Sequence, residues 1–378
     1  MYHVKTMNKI SKIGLAELDD RFAISDTMEH EDAILVRSAK LHDYDFPAEL
    51  KCIARAGAGV NNIPLDRAAD AGIVVFNAPG ANANGVKELT IAALLLASRK
   101  ISQGITWVKE QSAAGADVAA VVEKGKSAYV GPEIMGKTLG VVGLGAIGVL
   151  VANAAAALGM KIVGYDPFLS VTHALNLTPG VEVVDTLPEL YAKADYISLH
   201  LPMNDATRGT LNEAAFAAMK DGVRIVNLAR GELVDTPALK AALDSGKCAA
   251  YVTDFPNSET AAIEGVVAIP HLGASTPESE DNCAMMAARE VKEYLDNGSI
   301  INSVNLPNLT MAWAAKTRVC VISKGADAAA IAGAVPAVAS ASNTRGAYAY
   351  TILDTDAAVD EAAIAAIPGV LRVRVLTR

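Results

Sequence analysis

The stretch Leu139-Gly-Val-Val-Gly-Leu-Gly-Ala-Ile-Gly148 decides the fold. A short β-branched run opens it, three glycines in a GxGxxG spacing follow, and Ile147 to Leu158 continues as an apolar, helical stretch. In that order each glycine has a separate task. Gly143 permits a tight turn, Gly145 lets the backbone come close to a pyrophosphate, and Gly148 lets the helix lie against the strand. The first helical amides, at Ala146 and Ile147, then face the diphosphate of a dinucleotide. The next apolar run ends in Gly164-Tyr-Asp166, and Asp166 follows Gly148 by 18 residues. An acid at about that spacing accepts the hydroxyls of the adenosine ribose. Pro167 and Phe168 come next, and neither could pair with a 2′-phosphate, so NAD is expected over NADP.

Working outward, short β-branched runs alternate with helical stretches: Leu139–Val142, Lys161–Tyr165, Tyr196–Leu199, Val223–Asn227, Tyr251–Thr253 and Val266–Ile269 read as strands buried on both faces. This alternation is that of parallel βαβ units, giving an α/β fold with six strands in one doubly wound, Rossmann-type sheet. Ala33–Val36, Cys52–Arg55 and Ile73–Phe76 repeat the pattern before it, and a first boundary falls near residue 100. Pro277 to Leu295 reads as a long helix returning to that first domain, and the Pro- and Asn-rich stretch 302–308 closes the unit. The expected division is 1–100 for substrate binding, completed by 275–306, then 101–274 for the nucleotide, then 307–378. That last segment reads β-α-β-β-α-β, a small α+β sandwich.

Composition narrows the classes. With 52% hydrophobic residues and a net charge of −9, the chain has neither the low hydrophobicity of a disordered protein nor the basic surface of a nucleic-acid binder. Seventy alanines inflate the apolar count and signal helix rather than membrane. The longest apolar run, Ile91 to Ala97, is far short of the roughly 18 residues of a spanning helix. The N-terminal residues lack a signal-peptide core, so a cytoplasmic protein is expected. Cys52, Cys248, Cys283 and Cys320 show no ligand spacing, so they are expected as reduced, buried thiols with no metal.

In an open parallel sheet the chemistry lies beyond the carboxyl ends of the strands. There the sequence offers Arg230 after Val223–Asn227, Asp254 and Glu259 after Tyr251–Thr253, and His271 after Val266–Ile269. An arginine holds carboxylate and carbonyl oxygens in a fork, a histidine takes a hydroxyl proton as hydride leaves, and a carboxylate orients the imidazole. His200, before Leu201 and Pro202, is expected beside the cofactor.

Four segments carry a resemblance: Arg55-Ala-Gly-Ala-Gly-Val-Asn-Asn62, Gly143-Leu-Gly-Ala-Ile-Gly148, Asn227-Leu-Ala-Arg-Gly-Glu-Leu-Val-Asp235 and Pro270-His-Leu-Gly-Ala-Ser-Thr276. Over about residues 1 to 306 the chain resembles the D-isomer-specific 2-hydroxyacid dehydrogenases. The resemblance implies a flavodoxin-like substrate domain and hydride transfer between NAD and a D-2-hydroxy acid. Arg230, Glu259 and His271 would be catalytic. Asp254 would meet the nicotinamide amide, and Leu228, Ala229, Gly273 and Ala274 would complete the cofactor's surroundings. The loop at Ala58, Gly59 and Val60 would wrap the substrate carboxylate. Arg37, Ser38, Arg55 and Lys87 supply cations and a hydroxyl that suit a phosphorylated substrate, with 3-phospho-D-glycerate the expected one. Another D-2-hydroxy acid of the glyoxylate or hydroxypyruvate type, or an NAD-sensing protein without catalysis, are the alternatives. The C-terminal segment resembles an ACT domain, which implies serine binding or dimerisation there, in a homodimer or homotetramer.

Overall fold

The computed structural model describes residues 1–378, which divide into two compact units, residues 1–82 with 277–378 and residues 83–276.

The first unit opens with five strands, β1 (Tyr2–Met7), β2 (Phe22–Ser25), β3 (Ala33–Val36), β4 (Cys52–Arg55) and β5 (Val74–Asn77). They pair in parallel in the order β2-β1-β3-β4-β5, the flavodoxin-like order. Side chains alternate across the sheet. Val4, Leu35, Cys52, Ala54 and Phe76 pack on Ala284, Ala287, Val291 and Tyr294 of the long helix Pro277–Asn297. Ile34, Val36, Ile53 and Val75 face Leu41, Leu50 and Ile63 on the other side.

The second unit holds β6 (Thr138–Val142), β7 (Lys161–Tyr165), β8 (Glu182–Val183), β9 (Tyr196–Leu199), β10 (Val223–Asn227), β11 (Cys248–Thr253) and β12 (Val266–Ala268). All are parallel, in the order β12-β11-β10-β9-β6-β7-β8. The expected six strands are present, and the two-residue β8 adds a seventh at the edge. The unit begins at Ala83, not near residue 100. The helix Ala83–Ser98 places Val86, Ala93, Leu94 and Ala97 in one core with Val141, Leu144, Val149 and Val226, which sets it with the second sheet. The following helices, Ile101–Ala113 and Val118–Gly125, bury none of their residues.

The C-terminal strands β13 (Thr317–Lys324), β14 (Ala339–Arg345), β15 (Tyr348–Thr355) and β16 (Val370–Thr377) form an antiparallel sheet in the order β14-β15-β13-β16, with the expected β-α-β-β-α-β connection. Expected to stand apart, it packs within the first unit. Cys320, Ile322, Tyr350 and Ile352 enter the same core as β1 and the long helix. That helix ends against arginines of the sheet: Arg374 donates to the carbonyls of Tyr294 and Leu295, and Arg318 to that of Asn297. Cations at these open carbonyls satisfy the helix C-terminus and its dipole. Arg318 is in turn fully buried against Asp354 at 2.7 Å.

All four cysteines are free and buried. No helix is long and apolar enough to cross a membrane.

Candidate active site

The glycine turn follows β6 directly, and the three glycines differ in what constrains them. Gly143 has φ +95°, and a Cβ there would stand 2.6 Å from the carbonyl oxygen of His200. A Cβ on Gly148 would stand 1.9 Å from the carbonyl oxygen of Gly143, because the helix Ala146–Ala157 lies against its own turn. Gly145 is the helix N-cap, with φ −75°, and a Cβ there would meet nothing within 4 Å. Folding therefore demands the first and third glycines but leaves open the space beside the second. That opening, with the unpaired amides of a helix start behind it, fits a pyrophosphate.

Asp166 lies just past β7 and is half-buried. Its Oδ2 accepts from the Leu144 amide at 2.9 Å and its Oδ1 from Phe168 at 2.8 Å. Each oxygen keeps a lone pair for a ribose hydroxyl. His200 follows β9 on the other side of the turn, where its Nε2 meets Ser198 Oγ at 2.9 Å. Burial pushes its pKa down to about 4, so the ring is neutral near pH 7. Pro202, two residues on, accepts a hydrogen bond from Thr207 through its carbonyl.

Beyond β10 the chain turns sharply at Asn227-Leu-Ala-Arg230. Asn227 is fully buried and shapes this turn: its Nδ2 donates to the Arg230 carbonyl at 2.8 Å and to Tyr251 Oη at 3.0 Å, and its Oδ1 accepts from the Ala229 amide. Leu228 sinks into the core while Arg230 stays half-buried, its Nη1 donating to the Ala229 carbonyl.

Beyond β11 stands Asp254, 1% exposed. Oδ2 accepts from the Gly273 amide at 3.1 Å, whereas Oδ1 is buried with no partner. Burial pushes this carboxyl up, opposed by the Gly273 amide and by the charge of nearby His271. An unsatisfied buried acceptor costs about 1–3 kcal/mol, and a carboxamide donor would relieve it. A nicotinamide supplies that donor, so the residues present fit NAD.

Phe255 is the residue that joins the rest. Its ring centroid lies 5.2 Å from the Arg230 guanidinium carbon and 4.3 Å from the centroid of the His271 ring. Asn257 then folds the loop, its Oδ1 accepting from the Glu259 and Thr260 amides. Glu259 and His271 are both exposed, and no ion pair joins them. The structure thus brings Arg230, His271 and Asp254 together around Phe255 and leaves Glu259 apart from the imidazole. Gly273 is buried behind His271, with Ala274 half-buried next to it.

The remaining candidates belong to the first unit, apart from Lys87. Arg37 pairs with Glu280 at 2.6 Å, and the Ser38 amide donates to Asn8 Oδ1. Arg55 Nε donates to the Arg37 carbonyl. Gly57, at φ +151°, lies so close to the Arg55 guanidinium that a Cβ would stand 2.2 Å from Nη1. The loop that follows is held by Asn77, whose Nδ2 donates to the Ala58 carbonyl, and by the Ala78 amide on the Gly57 carbonyl. Gly59 and Val60 are half-buried in it. Lys87, in the second unit, lies 3.6 Å from Glu88.

Asn227, Phe255 and Asn77 do not emerge from the sequence as site residues. Asn227 begins a recognisable motif, but its task rests on hydrogen bonds that no spacing reveals.

Residues 91–273 match the family model for the NAD-binding domain of D-isomer-specific 2-hydroxyacid dehydrogenases. A D-3-phosphoglycerate dehydrogenase of Methanocaldococcus jannaschii is 35% identical over 315 residues, covering 81% of this chain and 58% of that protein. One from Rattus norvegicus is 36% identical over 296 residues, covering 76% and 53%. The chain therefore spans little more than half the length of these curated relatives. Among solved structures, a glyoxylate reductase from Paecilomyes thermophila matches with TM-score 0.66 and 28% identity, over 80% of this chain and 98% of that one. A 3-phosphoglycerate dehydrogenase of Entamoeba histolytica, solved with NAD+, matches with TM-score 0.61 and 26% identity, over 82% and 99%.

Proposed function

We propose that the chain is a D-isomer-specific 2-hydroxyacid dehydrogenase that oxidises 3-phospho-D-glycerate to 3-phosphohydroxypyruvate with NAD, the entry step of L-serine synthesis. The observation that carries this reading is the arrangement at the carboxyl ends of β10, β11 and β12. Arg230 and His271 share the Phe255 ring beside the buried carboxylate of Asp254, one of whose oxygens lacks a donor.

NAD, when bound, supplies the hydride acceptor. Gly143 to Gly148 and Asp166 would hold its pyrophosphate and ribose, with His200, Pro202, Leu228 and Ala229 flanking it. Asp254 would accept from the carboxamide. Arg230 grips the substrate's carboxylate and carbonyl oxygens in a fork. His271 takes the proton of the C2 hydroxyl as the C–H bond breaks, and Glu259, brought to the imidazole on substrate binding, stabilises the imidazolium. The loop at Ala58–Val60 offers amides to the carboxylate, and Arg37, Ser38, Arg55 and Lys87 favour a phosphorylated substrate over lactate.

The chain works in the cytoplasm as a homo-oligomer. Its second unit exposes Ile101, Ile105, Val108 and Val130 on and beside helices that bury nothing, an apolar surface a second copy would cover. Serine acting on the C-terminal sheet would slow the reaction.

A panel of D-2-hydroxy acids with NAD+, followed by NADH absorbance, tests the reading. The phosphorylated three-carbon acid is expected to give the highest kcat/KM. Absence of NADH with every acid in the panel would overturn the proposal.

A further inference from the structure

In the second unit, β11 buries a tyrosine where packing asks only for a ring. Tyr251 is 2% exposed, and its ring lies in an apolar core with Leu233, Leu239 and Ala242. Its hydroxyl is nevertheless used on two sides. In the pairing of β10 with β11, Asn227 stands opposite Thr253, and strand alternation puts Thr253 on the same face as Tyr251. Asn227 is fully buried, so both N–H bonds of its carboxamide need an acceptor. One goes to the Arg230 carbonyl and the other to Tyr251 Oη. The Tyr251 hydroxyl is in turn hydrogen-bonded to the Thr253 side chain, whose Oγ1 accepts from the Phe255 amide at 3.0 Å. Burial raises the pKa of the tyrosine, so the hydroxyl keeps its proton. One buried hydroxyl thus ties the turn after β10, which carries Arg230, to the turn after β11, which carries Asp254 and Phe255.

We infer that Tyr251 is a positioning residue for Arg230: its hydroxyl fixes which way the Asn227 carboxamide faces, and through that carboxamide the path of the backbone from which the Arg230 side chain leaves. This rests on the reaction proposed above, in which Arg230 grips the substrate. Turned the other way, the carboxamide would set its oxygen against the Arg230 carbonyl and its NH2 against the Ala229 amide, two repulsive contacts. With phenylalanine at 251, one carboxamide N–H is left buried without an acceptor, and the carboxamide is free to tilt away from the Arg230 carbonyl. Arginine is a long side chain, so a small tilt at its backbone becomes a larger displacement at its guanidinium. A misplacement of about 1 Å at a substrate clamp can cost on the order of 10²-fold in rate.

The test compares wild type with Tyr251→Phe, Arg230→Lys and the double variant. Tyr251→Phe keeps the buried ring, so it should fold. It should lower kcat/KM for 3-phospho-D-glycerate about 10-fold and leave the NAD dissociation constant at the wild-type value. Because the effect runs through Arg230, the same change made in the Arg230→Lys background should cost less than about 2-fold. A tyrosine that only supports the fold would lower the melting temperature and leave kcat/KM alone, or would lower kcat/KM equally in both backgrounds. Either result would overturn the inference while leaving the dehydrogenase reading standing. If wild type oxidises no D-2-hydroxy acid, the reading of the reaction fails, and calorimetric titration of the NADH-saturated protein with oxalate, which offers a clamp adjacent carboxylate oxygens, then decides the inference separately. Binding about 10-fold weaker in Tyr251→Phe supports it, and binding that is absent or unaltered overturns it.

Discussion

His271 and Arg230 both lie against the Phe255 ring, so Phe255 sets the spacing of the proposed base and the proposed carboxylate clamp with no bond between them. Removing the base itself, as His271→Ala, should lower kcat by a factor of about 10² to 10⁴ and leave the NAD dissociation constant nearly unchanged. Turnover at the wild-type level would remove His271 from that role. Phe255→Ala should cost roughly 10-fold in kcat/KM through misplacement of both groups, a smaller loss than that from His271→Ala. The glycines separate cofactor from fold. Gly145→Ala adds a methyl where the protein offers no contact, so it should melt like wild type while binding NAD at least about 10-fold more weakly. Gly148→Ala drives a Cβ into the Gly143 carbonyl and should destabilise the fold. At this scale the sequence is informative where chemistry is carried by residue type and position after a strand, as with Arg230, Asp166 and His271. It is silent on Phe255 and Asn77, whose value lies in what they touch.

Among the elements, the long helix Pro277–Asn297 carries an unusual group. Glu290 is buried, accepts only from Asn302 Nδ2 at 2.7 Å through Oε1, and leaves Oε2 unpartnered. Burial raises its pKa from 4.5 to about 8. Between those values the folded state holds a proton that the unfolded chain releases, so this group lowers stability as pH rises from about 4.5 to 8. Glu290→Gln should remove that slope and raise the melting temperature at pH 8 relative to wild type, with little change near pH 5. Thermal melts across this range check it, and parallel curves for the two proteins would contradict it. Strand and helix alternation was legible because parallel strands buried on both faces read as β-branched runs. The β1 strand escaped because His3, Lys5 and Thr6 interrupt its apolar pattern, and β8 because two residues carry no pattern. The helix Ala83–Ser98 was legible as a helix but not as part of the second unit, since its apolar face does not reveal which core it joins.

For the whole molecule, the expected C-terminal module proves to be packed into the core of the first sheet, with Arg318 and Arg374 capping the long helix. Its strand order was readable, but its docking depends on a shared core that no local pattern encodes. The exposed helices of the second unit predict assembly. Light scattering should give a dimer or tetramer, and Ile105→Arg, at a side chain 52% exposed, should shift it toward monomer without unfolding the chain. A wild-type monomer would contradict this. The proposed reaction is hydride transfer from C2 of a D-2-hydroxy acid to NAD+. The most direct measurement supplies 3-phospho-D-glycerate deuterated at C2 and analyses the dinucleotide by mass spectrometry. One deuterium is expected in each NADH formed, and NADH without deuterium, or no NADH at all, would overturn the proposed reaction.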